Sequence, residues 1–120
     1  MMIPNHIRDY YQHSPYFGSW PNETPDVYTA KVGSMSAGEI MQLQIKVEKE
    51  KIIDARVKVY GSGYAIAVAA FVANWSVGRT RLEFLTLTAA DIAKALQLPD
   101  TQNHSAVLGE DLLRALYASD

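Results

Sequence analysis

The sequence contains no cysteine. Its own thiolate is therefore unavailable as a nucleophile, a redox partner or a soft metal ligand, and no disulfide can staple the fold. Long apolar runs are missing too. The longest, Tyr64 to Ala73 (YAIAVAAFVA), is about half of the ~20 residues that cross a bilayer as a helix, so no membrane span is expected. The first residues, MMIPNHIRDYYQHSPYFG, lack the basic stretch and unbroken apolar core of a secretory signal, and the expected location is cytoplasmic. Lys and Arg are interspersed with Asp and Glu at a net charge of −2. With no basic block to follow a phosphate backbone, nucleic acid is not an expected partner.

What remains is 120 residues, 48% of them hydrophobic, enough to close one core in a single domain spanning residues 1–120. Pro4 can open a helix that runs to about Gln12, and Ser14-Pro15 and Gly18 stop it. Val27 to Val32 alternates weakly. Ile40 to Val47 (IMQLQIKV) alternates clearly, with Met41, Leu43, Ile45 and Val47 on one face. After Glu48-Lys49-Glu50-Lys51 the alternation resumes, placing Ile53, Ala55, Val57 and Val59 inward. Two such runs with a short polar link predict a hairpin, and with the first strand an antiparallel sheet with one wet face.

At Gly61-Ser62-Gly63 the pattern changes to a helix that is apolar all round, from Tyr64 to about Val77. Thr80-Arg81-Leu82-Glu83 and Thr88-Ala89-Ala90-Asp91 have capping-box spacing. A last helix is expected from Ser105, as N-cap, to Tyr117. The order of elements predicts an α+β fold: a small three-stranded antiparallel sheet with helices packed on one face.

Chemistry-bearing residues are few. His104 beside Ser105 does not form a catalytic pair, because neighbours at a helix start rarely face one another, and Ser105 reads as a cap. The glycines of Gly61-Ser62-Gly63 lack the length and lysine of a phosphate loop and read as backbone geometry. There are only three histidines, of which His6 and His13 fall on or near the first helix. Glu39, His104 and Asp111 could donate to a weak divalent site, but their spacing matches no metal signature.

Several stretches together resemble one family: GEIMQLQIKVE (Gly38 to Glu48), KIIDARVKVYGSG (Lys51 to Gly63), DIAKAL (Asp91 to Leu96) and the acidic-apolar pattern from Glu110 to Leu116. The family is the iron-sulfur cluster assembly scaffold of the IscU type, also found as the N-terminal domain of NifU. The resemblance implies a scaffold that receives sulfur from a cysteine desulfurase and holds a [2Fe-2S] cluster on three cysteines, with an aspartate and a histidine nearby. In this chain the three cysteine positions are Ala37, Ser62 and Ser105, the aspartate is Glu39, and the histidine is kept as His104. The family's chaperone-recognition segment, Leu-Pro-Pro-Val-Lys, reads Leu98-Pro99-Asp100-Thr101-Gln102, and its N-terminal Asn-Pro-Arg-Asn turn reads Ser14-Pro15-Tyr16-Phe17. Removing the ligands alone would not require rewriting these two segments, which points to a diverged natural relative rather than an engineered cysteine-free variant.

Alanine is no ligand and serine a poor one for iron bridged by sulfide, and persulfide transfer needs a thiolate. The expectation is a non-enzymatic homologue that binds no cluster and acts through protein interaction. Its partner would be a cysteine desulfurase or another assembly protein, met by the surface around Ala37, Glu39, Ser62, His104 and Ser105 with Met35, Tyr60 and Tyr64. The alternative is a reused pocket, holding a small ligand or a single Fe or Zn ion near Glu39 and His104.

Overall fold

Strand β2 (Glu39–Glu48) is the centre of the sheet, and its hairpin with β3 (Lys51–Tyr60) closes through Lys49-Glu50. Both turn residues have positive φ, 52° and 70°, the mirror-image turn whose twist matches that of the strands it joins. Strand β1 (Val27–Ser34) pairs antiparallel on the other side, giving the order β1-β2-β3. The computed structural model describes residues 3–119.

The inward face carries Ala30 from β1, Met41, Leu43 and Ile45 from β2, and Ala55 and Val57 from β3, all buried. One inward assignment changes. The pairing shifts between Lys46 and Val47, so that Val47 opposes Ile52 while Lys46 opposes Asp54. The extra residue is Ile53, which the bulge turns outward to 46% exposure, and Ile52 is buried in its place.

Among the described residues there are four α-helices, two of them packed directly on the sheet. Helix α2 (Gly63–Ser76) lies over β2 and β3, and its alanines at 65, 67, 69, 70 and 73 are all buried, consistent with close packing. Helix α4 (Asn103–Ala118) lies over β1 and β2 beside it. A Cβ on Gly109 of α4 would come within 2.8 Å of Val68 Cγ1 and 3.2 Å of Ile92 Cδ1, so the glycine sets how closely the helices approach. Helix α1 (Asn5–Gln12) rests on α2, and α3 (Ala89–Leu96) on α4.

Both expected capping boxes form. Thr88 Oγ1 accepts from the Asp91 N–H at 3.2 Å and Asp91 Oδ2 from the Thr88 N–H at 3.1 Å. Glu83 Oε1 likewise accepts from the Thr80 N–H at 3.1 Å, although the helix opened there is a single 3-10 turn, Leu82–Leu85. The wet face of the sheet is drier than alternation suggests. Gln44 is 1% exposed because the chain around Trp20 crosses it: its side-chain amide accepts from the Trp20 N–H at 2.7 Å and donates to the Trp20 carbonyl at 3.1 Å. One side chain thus makes both bonds a neighbouring peptide would make.

Candidate functional site

Period-two geometry puts Glu39 on the same face of β2 as Met41 and Leu43. The core row of the sheet therefore ends in a carboxylate. Glu39 is only 5% exposed, and it meets the first turn of α4. Ser105 Oγ, with one proton to donate, lies 2.8 Å from Glu39 Oε1 and 3.0 Å from Oε2 and shares that proton between them, and His104 Nε2 lies 2.5 Å from Oε2. Helix α4 has no side-chain N-cap, and the carboxylate at its first turn also faces the positive end of the helix dipole.

This corrects the expectation for Ser105. It lies inside the helix, fully buried, with Gln102 at the cap position, and its hydroxyl serves Glu39 instead of the helix's own backbone. The His104 side chain is 56% exposed and directed at Glu39, as a solvent-reachable histidine beside a helix terminus. Ser105 is fully buried, so its hydroxyl is not presented to solvent.

Gly61 supplies the floor. A Cβ there would stand 3.0 Å from Glu39 Cγ and 3.0 Å from Ala65 Cβ, so the glutamate side chain lies across a position that only glycine leaves open. The next residue, Ser62, is the exposed N-cap of α2, its Oγ accepting from the Ala65 N–H at 3.3 Å. Ala37 sits on the exposed β1–β2 turn, where its N–H donates to Ser34 Oγ at 3.1 Å. The structure thus joins Glu39, His104 and Ser105 directly and brings the Gly61-Ser62 step against them, with Ala37 two residues before Glu39 on the turn. The role of Gly61 was missed from sequence; the signal available was the glycine itself, placed where strand β3 meets α2.

As a cage for an iron-sulfur cluster this donor set does not fit. It holds no thiolate, and both serine hydroxyls are committed, one to a helix cap and one to a carboxylate. Among the described residues no three His, Cys, Asp or Glu side chains gather as a metal site, and Asp111 does not join Glu39 and His104. His6 and His13 lie on α1 and at its C-cap, both exposed. Among the described residues no helix is long and apolar enough to cross a membrane.

Comparison with known proteins agrees with this architecture. The chain is 38% identical over 119 residues to the iron-sulfur cluster assembly scaffold protein IscU of Escherichia coli K12, covering 98% of this chain and 93% of that one. It is 39% identical over 116 residues to the IscU of Azotobacter vinelandii, covering 96% and 91%. Among solved structures, the N-terminal part of a nitrogen-fixing NifU-like protein from Brucella abortus superposes with a TM-score of 0.69 at 14% identity, over 94% of this chain and 90% of that one. Residues 3–118 match the NifU-like N terminal domain, and the chain belongs to that family, as a member without cysteine.

Proposed function

We propose that this chain is a homologue of the iron-sulfur cluster scaffold that assembles no cluster and performs no covalent chemistry, and that it acts by binding a protein of cluster assembly, a cysteine desulfurase first among the candidates. The observation that carries this reading is Glu39. Its carboxylate fills the place between the β1–β2 turn, the Gly61-Ser62 step and the first turn of α4, bonded to Ser105 and His104. The frame of the scaffold is kept while its reactive groups are gone and the space among them is taken by the protein's own side chain. What such a molecule still offers a partner is shape. Met35 and Tyr60, 64% and 55% exposed, border the same end of the sheet and suit a protein contact, whereas Tyr64, expected beside them, is 6% exposed and belongs to the core.

A single divalent ion is the less favoured occupant. Glu39 and His104 would supply two donors, and binding would break the hydrogen bonds that compensate the burial of the carboxylate. The experiment is size-exclusion chromatography of the chain mixed with a cysteine desulfurase at tens of micromolar. Co-elution is expected, and separate elution would remove the proposal.

A further inference from the structure

The outer face of the sheet is covered over only part of its length. Around Gln44 the chain near Trp20 lies across it, and Arg56 stacks 4.7 Å from the Trp20 ring centroid while pairing with Asp54 at 2.7 Å. Two further rows lie beyond that cover. One is Lys31–Gln42–Lys58 and the other Gly33–Ile40–Tyr60, each running across all three strands in register. They frame an open hollow of about 210 Å³ lined by Lys31, Ile40, Gln42, Lys58, Val59 and Tyr60.

Three features of the hollow define what would occupy it. Charge is the first. Lys31 and Lys58 are exposed and, among the described residues, neither makes an ion pair, while no acidic side chain stands in either row. The sheet holds the backbones of these two lysines two strand spacings apart, roughly 10 Å, with Gln42 between them in register, on a chain whose net charge is −2. The second is polarity. Ile40 is half-buried and Tyr60 is 55% exposed, and Gly33 at the end of their row has no side chain, so the floor beside the lysines is apolar and open at the β1 edge. The third is size, since the hollow is smaller than the roughly 300–1,000 Å³ of small-molecule sites and suits one large side chain.

We propose that this hollow docks an acidic peptide segment of a partner protein, a large apolar residue of the segment resting on Ile40 and Tyr60 while carboxylates on either side of it pair with Lys31 and Lys58. Charge complementarity selects the acidic segment, and the apolar floor selects its central residue. Two lysines without a longer basic track favour this over a nucleic-acid backbone. The hollow adjoins the closed site in sequence, since Ile40 follows Glu39 and Tyr60 precedes Gly61, yet uses none of its side chains.

The test is fluorescence anisotropy at low salt on the full chain, with a fluorescein-labelled synthetic peptide of alternating Glu and Asp around one central Leu. Saturable binding is expected, weakened at least tenfold in K31E/K58E and several-fold either by Y60A or by exchanging the peptide's Leu for Ser. The double variant K49E/K94E makes the same change in net charge elsewhere and should leave binding unchanged. Unchanged circular dichroism would verify that each variant is folded. Absence of saturable binding, equal loss in both double variants, or a single-stranded oligonucleotide bound more tightly than the peptide through the same lysines would each overturn the proposal. Capture of a desulfurase that survives K31E/K58E would leave the proposed function standing and separate it from this surface.

Discussion

Glu39 is a carboxylate withdrawn almost entirely from water, and a buried charge of that kind persists only when its oxygens are satisfied. The single Ser105 hydroxyl proton is shared between the two Glu39 oxygens, and one of them also meets His104. The two partners are not equivalent, because Ser105 is fully buried whereas the His104 side chain is 56% exposed. Removing the carboxylate strands a buried hydroxyl and empties the space above Gly61, whereas removing the imidazole leaves the hydrogen bond from Ser105 in place. E39A is expected to lower unfolding stability by about 2–3 kcal/mol and H104A by less than about 1 kcal/mol, read from urea denaturation midpoints at constant m-value. Equal losses would show that the contact with the exposed His104, not the buried hydrogen bond from Ser105, holds the site. The positions of this cluster were legible in the sequence through the resemblance, but its wiring was not. A serine shortly before a helical pattern has the signature of a cap, and only the depth of the first turn of α4 against β2 reveals that its hydroxyl belongs to a residue 66 positions away.

Elements whose signals are local were legible. The box Thr88…Asp91 and the alternating run of β2 depend on neighbours in the chain, and both form where expected. The turn outward at Ile53 was not legible, because a bulge leaves alternation intact on each side and shows only in the partner strand's register. The box at α3 also makes a prediction about pH. Its bond from the Thr88 backbone N–H, helped by the Thr88 hydroxyl, holds the Asp91 carboxyl below the ordinary value of 3.8. The folded state therefore binds the Asp91 proton less readily than the unfolded state. The resulting stabilisation is fully present above that ordinary value and is lost as pH falls through the lowered folded value. The stability difference between wild type and D91N should be constant near neutral pH and shrink on acidification below about pH 4, as followed by thermal unfolding in a series of buffers. A difference that grew on acidification would contradict the capping role.

At the scale of the molecule, the sheet and helices deliver three separate chain segments to one end of the core. That delivery depends on the strand register and on α2 and α4 lying side by side, none of which involves a cysteine. The frame should therefore tolerate cysteine at Ala37, Ser62 and Ser105, the positions at which the resemblance places the family's thiolates. Restoring thiolates does not by itself clear the space among them. S105C removes the hydroxyl that holds Glu39, yet the glutamate side chain still lies across Gly61, with its Cγ 3.0 Å from where a Cβ would be. A buried carboxylate deprived of its donor will recruit another or draw in water, and in either case it competes for the same volume as a cluster. Chemical reconstitution with iron and sulfide under anaerobic conditions should then give weak, labile visible absorption in A37C/S62C/S105C, and clearly stronger absorption once the acidic side chain is also shortened by E39D. Equal absorption from the two variants would mean that Glu39 yields freely. Absence of absorption from both, with circular dichroism unchanged, would mean that the three positions no longer converge closely enough to bind iron together. The stronger signal from the four-residue variant would establish that what separates this chain from a cluster-binding scaffold is three missing thiolates and one side chain that has taken their place.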